Sequence, residues 1–309
     1  MIPVLVLIVI SIWRISLGEW DISFPDVIRF LLTESNSPEA IVVQSVRLPR
    51  LLCSMGTGGL LSVSGVILQG LLANPLAEPY TLGIASGAAF GASLGILFGT
   101  FNFMVMPCAL GGSMLALLIT GLTSRNGGRN NLILAGVISN AILSAGVTFL
   151  KAIAGDKIGA VVLWLMGSFS GAGWRDVRAV ALGILIVNLP AYILGYNLDA
   201  MSLGENRASV FGVNENFVRT LLLLTTSAGT ALCVSSFGVI GFVGLVVPHI
   251  SRAISGASHR KLMTNAFFTG AGLMCAADGL AQSIGEIPAG VITALAGGPF
   301  FCWILSRKK

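Results

Sequence analysis

An all-α fold that crosses a membrane about ten times is the class this sequence predicts, and three observations carry the prediction. Of 309 residues, 55% are hydrophobic and only 10% are charged, against roughly 25% charged in soluble domains. Mean hydropathy is +0.90. Apolar runs long enough to cross a hydrocarbon core of about 30 Å, which takes ~20 helical residues, recur along the whole chain. No glycine- or serine-rich linker and no run of charge divides them, so residues 1–309 read as a single integral-membrane domain.

The runs fall at 1–17, 51–72, 81–101, 103–123, 132–153, 177–197, 217–238, 239–256, 262–284 and 289–306. The stretch "IGAVVLWLMGSFSGA", 158–172, is too short and too rich in glycine and serine for a further span, and it reads as a half-helix in the interface. An even number of spans puts both termini on one side. The tail with Arg307, Lys308 and Lys309 places that side in the cytoplasm by the positive-inside rule. The other segments on that side hold Arg125, Arg129, Arg207, Arg219, Arg252, Arg260 and Lys261. The start, "MIPVLVLIVISIW", lacks a basic leader and a small-residue cleavage site, so it reads as a short first span that a trimmed or internal start would explain.

Two excursions leave the membrane: an external segment from Gly18 to Arg50 and an internal loop at 196–216. Neither has room for a catalytic domain. Cys53, Cys108, Cys233, Cys275 and Cys302 stand singly in apolar runs, without CxxC spacing or histidine company. They predict packing rather than a disulfide framework or a metal site; no cofactor or catalytic residue is expected. The pI near 9.2 follows from loop basicity and topology, not from nucleic-acid binding.

Gly83, Gly87, Gly91, Gly95 and Gly99 recur every fourth residue in "GIASGAAFGASLGILFG". In water each would cost a helix about 1 kcal/mol relative to alanine. In lipid the helix is enforced, and a bare row along the i±4 direction seats another helix closely. Farther back, "LANPLAEPYTLG" places Pro75 and Pro79 where a helix cannot continue, with Asn74 and Glu78 in need of water or a protein partner.

That string, preceded by "RLPR" and "GVILQGLLANPLAEP", resembles the FecCD/BtuC family of ABC importer permeases. The resemblance continues through "LILAGVISNAI" (132–142), "WLMGSFSGAGW" (164–174), "MSLGENRASVFGV" (201–213), "GVIGFVGLVVPHISR" (238–252) and "EIPAGVITALAGGPFF" (286–301), nearly the whole chain. It implies a BtuC-like, type II permease half in a bacterial inner membrane. Such a half pairs with a second copy or a close relative, receives a metal chelate (iron-siderophore, haem or cobalamin) from an external binding protein, and is driven by a cytoplasmic ABC ATPase dimer. The chain has no G-x-x-x-x-G-K-[ST] phosphate loop, so its energy must come from a partner.

The resemblance also implies residue roles. Ser202, Leu203, Gly204, Glu205, Asn206, Arg207 and Ala208 would dock in the ATPase, and the Ser202–Glu205 spacing is equally that of a capping box. Arg47 and Arg50 would meet acids of the binding protein, their alternative being interfacial snorkelling. A further arginine that some members carry is Gln282 here. Asp278, inside the ninth run, reads as a hydrogen-bonding partner or as a proton relay. His249 would satisfy backbone freed by Pro248, and His259 would sit in a basic loop.

Two other classes compete with an importer subunit. An ion-coupled secondary transporter would place ionisable groups at the midplane, where Asp278 stands alone. A membrane-embedded enzyme would need HExxH, G-x-S-x-G or a spaced acid pair, and none occurs. The sequence does not name the cargo.

Overall fold

The computed structural model describes residues 2–18, 20, 22–33, 37–99, 104–124, 129–203, 207–256 and 258–307. The described elements are α1 (Ile2–Ser16), α2 (Phe24–Leu32), α3 (Pro38–Val42), α4 (Leu48–Leu72), α5 (Ile84–Phe98), α6 (Val105–Thr123), α7 (Arg129–Ala152), α8 (Ile158–Leu165), α9 (Trp174–Ile193), α10 (Gly195–Met201), α11 (Arg207–Val210), α12 (Glu215–Phe237), α13 (Val243–Ser255), α14 (His259–Ser283) and α15 (Ala289–Arg307), joined by short helical turns. No strand occurs among the described residues.

Helix α4 is the axis of the bundle. Together with α3 it runs unbroken over Pro38–Leu72, and 89% of its most apolar window is buried. A helix enclosed on every side must be lined by small residues wherever backbones cross. At Gly65 an added Cβ would lie 1.8 Å from the Gly244 carbonyl oxygen, so no other residue fits between α4 and α13. Helices α9, α12, α13 and α14 surround it and enclose the main core, which includes Leu60, Ile67, Phe169, Leu222 and Met274.

Three boundaries differ from expectation. The segment from 18 to 50 is not simply a soluble excursion: Pro38 starts a helix that continues through a wide π turn at Val43–Arg47 into α4. The wide turn admits Pro49, which has no N–H to give to an ordinary helical ladder. The run at 239–256 is helical only from Val243, because Gly238 (φ 77°) and Phe242 (φ 68°) hold left-handed backbone on either side of an extended linker. The glycine row is helical only over Gly87, Gly91 and Gly95. Gly83 (φ 79°) is the left-handed cap before α5, and Gly99 (φ −69°, ψ 132°) ends it in extended backbone.

Inside α13, Pro248 deprives the Gly244 carbonyl of its helical donor. That carbonyl faces the Gln69 side-chain amide at 3.5 Å, whereas His249 Nδ1 lies 3.1 Å from the Leu245 carbonyl. Gln69, rather than His249, therefore meets the group that the proline frees.

Candidate functional site: clasped helix breaks, an arginine cluster and a loop face

Non-helical backbone at membrane depth survives only where protein or a cavity encloses it. The two main breaks, residues 73–78 after α4 and 238–242 after α12, enclose each other. The Tyr80 hydroxyl accepts from the Ile240 N–H at 2.9 Å and donates to the carbonyl of the same residue. Pro79 and Glu78 pack beside Gly244 at the start of α13. Within the first break, Ala73 takes left-handed backbone (φ 47°) and Asn74 Oδ1 accepts from the Leu76 N–H at 2.9 Å. The two prolines of "NPLAEP" forbid a helix here, and Asn74 supplies the turn.

Tyr80→Phe would leave both backbone groups of Ile240 without their partner. The expected cost is about 1–3 kcal/mol, read as a lower unfolding temperature in detergent. An unchanged temperature would mean that the clasp does not hold the breaks.

At one end of the bundle lies a cluster of charge. Asp278, 1% exposed, takes Arg14 on Oδ2 (Nε 3.0 Å, Nη2 2.5 Å) and Arg50 on both oxygens (3.0–3.3 Å). Arg50 also reaches Glu286 at 2.9 and 3.1 Å. Arg47 makes no ion pair among the described residues; it donates to the carbonyls of Ile15 (3.1 Å), Ser16 (3.3 Å) and Trp20 (2.6 Å) and so stitches the end of α1 to α4. Arg47 and Arg50 are 4% and 6% exposed. Both guanidinium groups are committed inside the chain, and the exposed charge of the cluster is the carboxylate of Glu286.

At the opposite end, α10 leads into the loop expected to meet a partner. Ser202 and Leu203 are exposed, the Ser202 hydroxyl donating to the Asp199 carbonyl at 2.7 Å. Gly204, Glu205 and Asn206 lie outside the described residues, so the capping-box spacing is not displayed, and Arg207 opens α11. Ala208 is fully buried in the main core and ties the segment to the body of the chain.

Beside this loop His259, expected in a basic interfacial loop, is buried. Asp199 Oδ1 accepts its backbone N–H at 2.9 Å and lies 2.6 Å from its Nδ1, capping α14 from α10. Arg260 then donates to the carbonyls of Tyr192 and Ile193, which close α9, and lies 3.9 Å over the Tyr196 ring. The His259 Nε2 stands where a Cβ on Gly70 would be, at 2.7 Å. These contacts join α10 to α14 and to the last turn of α4, just before the clasped break.

No group of three or more histidine, cysteine or acidic side chains able to hold a metal ion occurs among the described residues.

Residues 4–307 match the model described as the FecCD transport family. The chain is 34% identical over 306 residues to a protein of Helicobacter pylori named "Probable iron chelatin transport system permease protein", covering 96% of this chain and 92% of that one. It is 33% identical over 317 residues to the molybdate import system permease protein MolB of Haemophilus influenzae, covering 99% and 94%. A solved structure entitled "An inward-facing conformation of a putative metal-chelate type ABC transporter" superposes with a TM-score of 0.89 at 31% identity, covering 99% of this chain and 97% of that one.

Proposed function

We propose that this chain, which belongs to the FecCD transport family, is the membrane-spanning permease subunit of an ATP-driven importer for a metal chelate. The observation that carries the reading is the extent of the similarity: the family match and the metal-chelate transporter fold both span essentially the whole of this chain. The cargo class is iron-siderophore, haem or cobalamin. The likeness to a molybdate permease keeps an oxyanion within the family's range. The subunit works as a homodimer or beside a close relative, in a bacterial inner membrane with both termini cytoplasmic, so the Arg50 end is external and the His259 end internal.

Hydrolysis belongs to a separate ATPase dimer, since the chain has no phosphate loop. Residues 202–208 are its docking segment, and exposed Leu203 is the side chain that enters it. The Asp199–His259 pair and Arg260 relay its movement into α14 and α4. On the external side Arg47 and Arg50 belong to the docking region of the binding protein. They shape its rim from beneath, where Arg50 holds Glu286. Asp278 is a structural hydrogen-bonding partner, its two oxygens occupied by Arg14 and Arg50.

Leu203→Cys should crosslink to the ATPase subunit, whereas Ala208→Cys should not. His259→Ala should leave the complex assembled and reduce stimulation of its ATPase by the binding protein about five- to tenfold, the usual scale of a lost coupling energy. Full stimulation in that variant would remove His259 from the relay, and absence of any Leu203→Cys crosslink would remove the loop from the interface.

A further inference from the structure

A cleft between the end of α6, the start of α7 and the first turns of α12 opens at the His259 end, and the transport reading makes no use of it. It encloses about 440 Å³, within the ~300–1,000 Å³ typical of ligand pockets. Leucines make up much of its lining, among them Leu118, Leu122 and Leu224, each more than half exposed. Its mouth is polar, with Ser124, Asn216 and Arg219.

Arg219 follows Glu215, the first residue of α12, by four positions. At 1.5 Å per residue it lies about 6 Å inside the helix end. Its Nε is buried and has no hydrogen-bond partner among the described residues. The ion pairs among those residues involve Arg14, Arg50 and His259, and none involves Arg219. A buried donor left unpaired is costly, and the planar guanidinium fork fits a phosphate.

We propose that this cleft binds an anionic membrane phospholipid, its phosphate on Arg219 and an acyl chain along the leucines of α6 and α12. Free phosphate would satisfy the guanidinium but leave the leucines bare. A protein partner would have to bring its own anion to that depth. Basic pockets between membrane helices are seats for anionic headgroups.

The test uses the full chain in phosphatidylcholine nanodiscs, probed with phosphatidylglycerol that carries a photoactivatable acyl chain. Labelled peptides should contain residues 117–122 and 223–224. Labelling should fall about tenfold in Arg219→Gln, remain largely intact in Arg219→Lys, and resist excess inorganic phosphate. Leu118→Trp, which fills the acyl groove without touching the guanidinium, should also lower labelling, and it carries the test if Arg219→Gln does not elute as a folded species. Equal labelling in folded Arg219→Gln, or in Leu118→Trp, overturns the proposal. Full competition by inorganic phosphate overturns it in favour of a simple anion site. Loss of label when permease copies pair overturns it in favour of a protein occupant.

Discussion

Replacing Asp278 with alanine should prevent the chain from accumulating as a folded protein. The substitution leaves Arg14 buried with no carboxylate, and leaves Arg50 with Glu286 alone. Removing one partner of a buried ion pair typically costs about 3–5 kcal/mol, a large part of the roughly 5–15 kcal/mol by which a typical protein is stable. Asp278→Asn keeps an acceptor but loses the charge, so it should fall between alanine and wild type. Replacing Arg14 and Asp278 together by methionine and leucine should recover much of the loss, because an apolar pair asks for no compensation. The readout is the folded fraction after detergent extraction. A well-folded Asp278→Asn that had lost only transport would restore the proton-relay reading.

Gly91→Leu should be nearly as damaging. A Cβ at Gly91 would stand 1.9 Å from the Cys108 carbonyl oxygen of α6, and that neighbour is backbone, which cannot turn aside. Overpacking a filled core usually costs about 1–3 kcal/mol and occasionally more; here two helices would have to separate along the seam where Gly87 also meets Gly112. Gly111→Leu is the matched control, since Gly111 is on α6 with nothing within 4 Å of its added Cβ. Gly91→Leu should abolish the folded peak in size exclusion and Gly111→Leu should preserve it. Equal recovery of the two would mean that the α5–α6 contact is not what the glycines serve.

Much of this architecture is legible because five of the described helices are long and apolar enough to cross a bilayer, and further shorter helices are apolar throughout. What hydropathy does not mark is where a span stops being helical. The linker 238–242 begins where two apolar runs meet, and only Gly238 and Gly241 hint that it is not helical, whereas Pro75 and Pro79 declare the other break outright. The charge cluster was half visible. Asp278 is conspicuous in its run, and so is Arg14 in the first one, but they are 264 positions apart and nothing local pairs them.

Arg47 and Arg50 show the opposite failure. Their three-residue spacing suggests one shared role, yet one is drawn to the carbonyls that end α1 and the other to α14, because each lies against a different neighbour. His259 reads as part of a basic interfacial loop because its capping acid, Asp199, comes from 60 positions earlier.

The most direct test of the central claim, that this chain is driven by a partner's ATP hydrolysis, is uptake in proteoliposomes measured under two regimes. With its ATPase subunits, the binding protein and ATP, vesicles containing the chain should accumulate the metal chelate carried by that binding protein, and should stop when ATP is withheld. With the chain alone and a proton or sodium gradient imposed, there should be no uptake. Accumulation by the chain alone under a gradient would contradict the account.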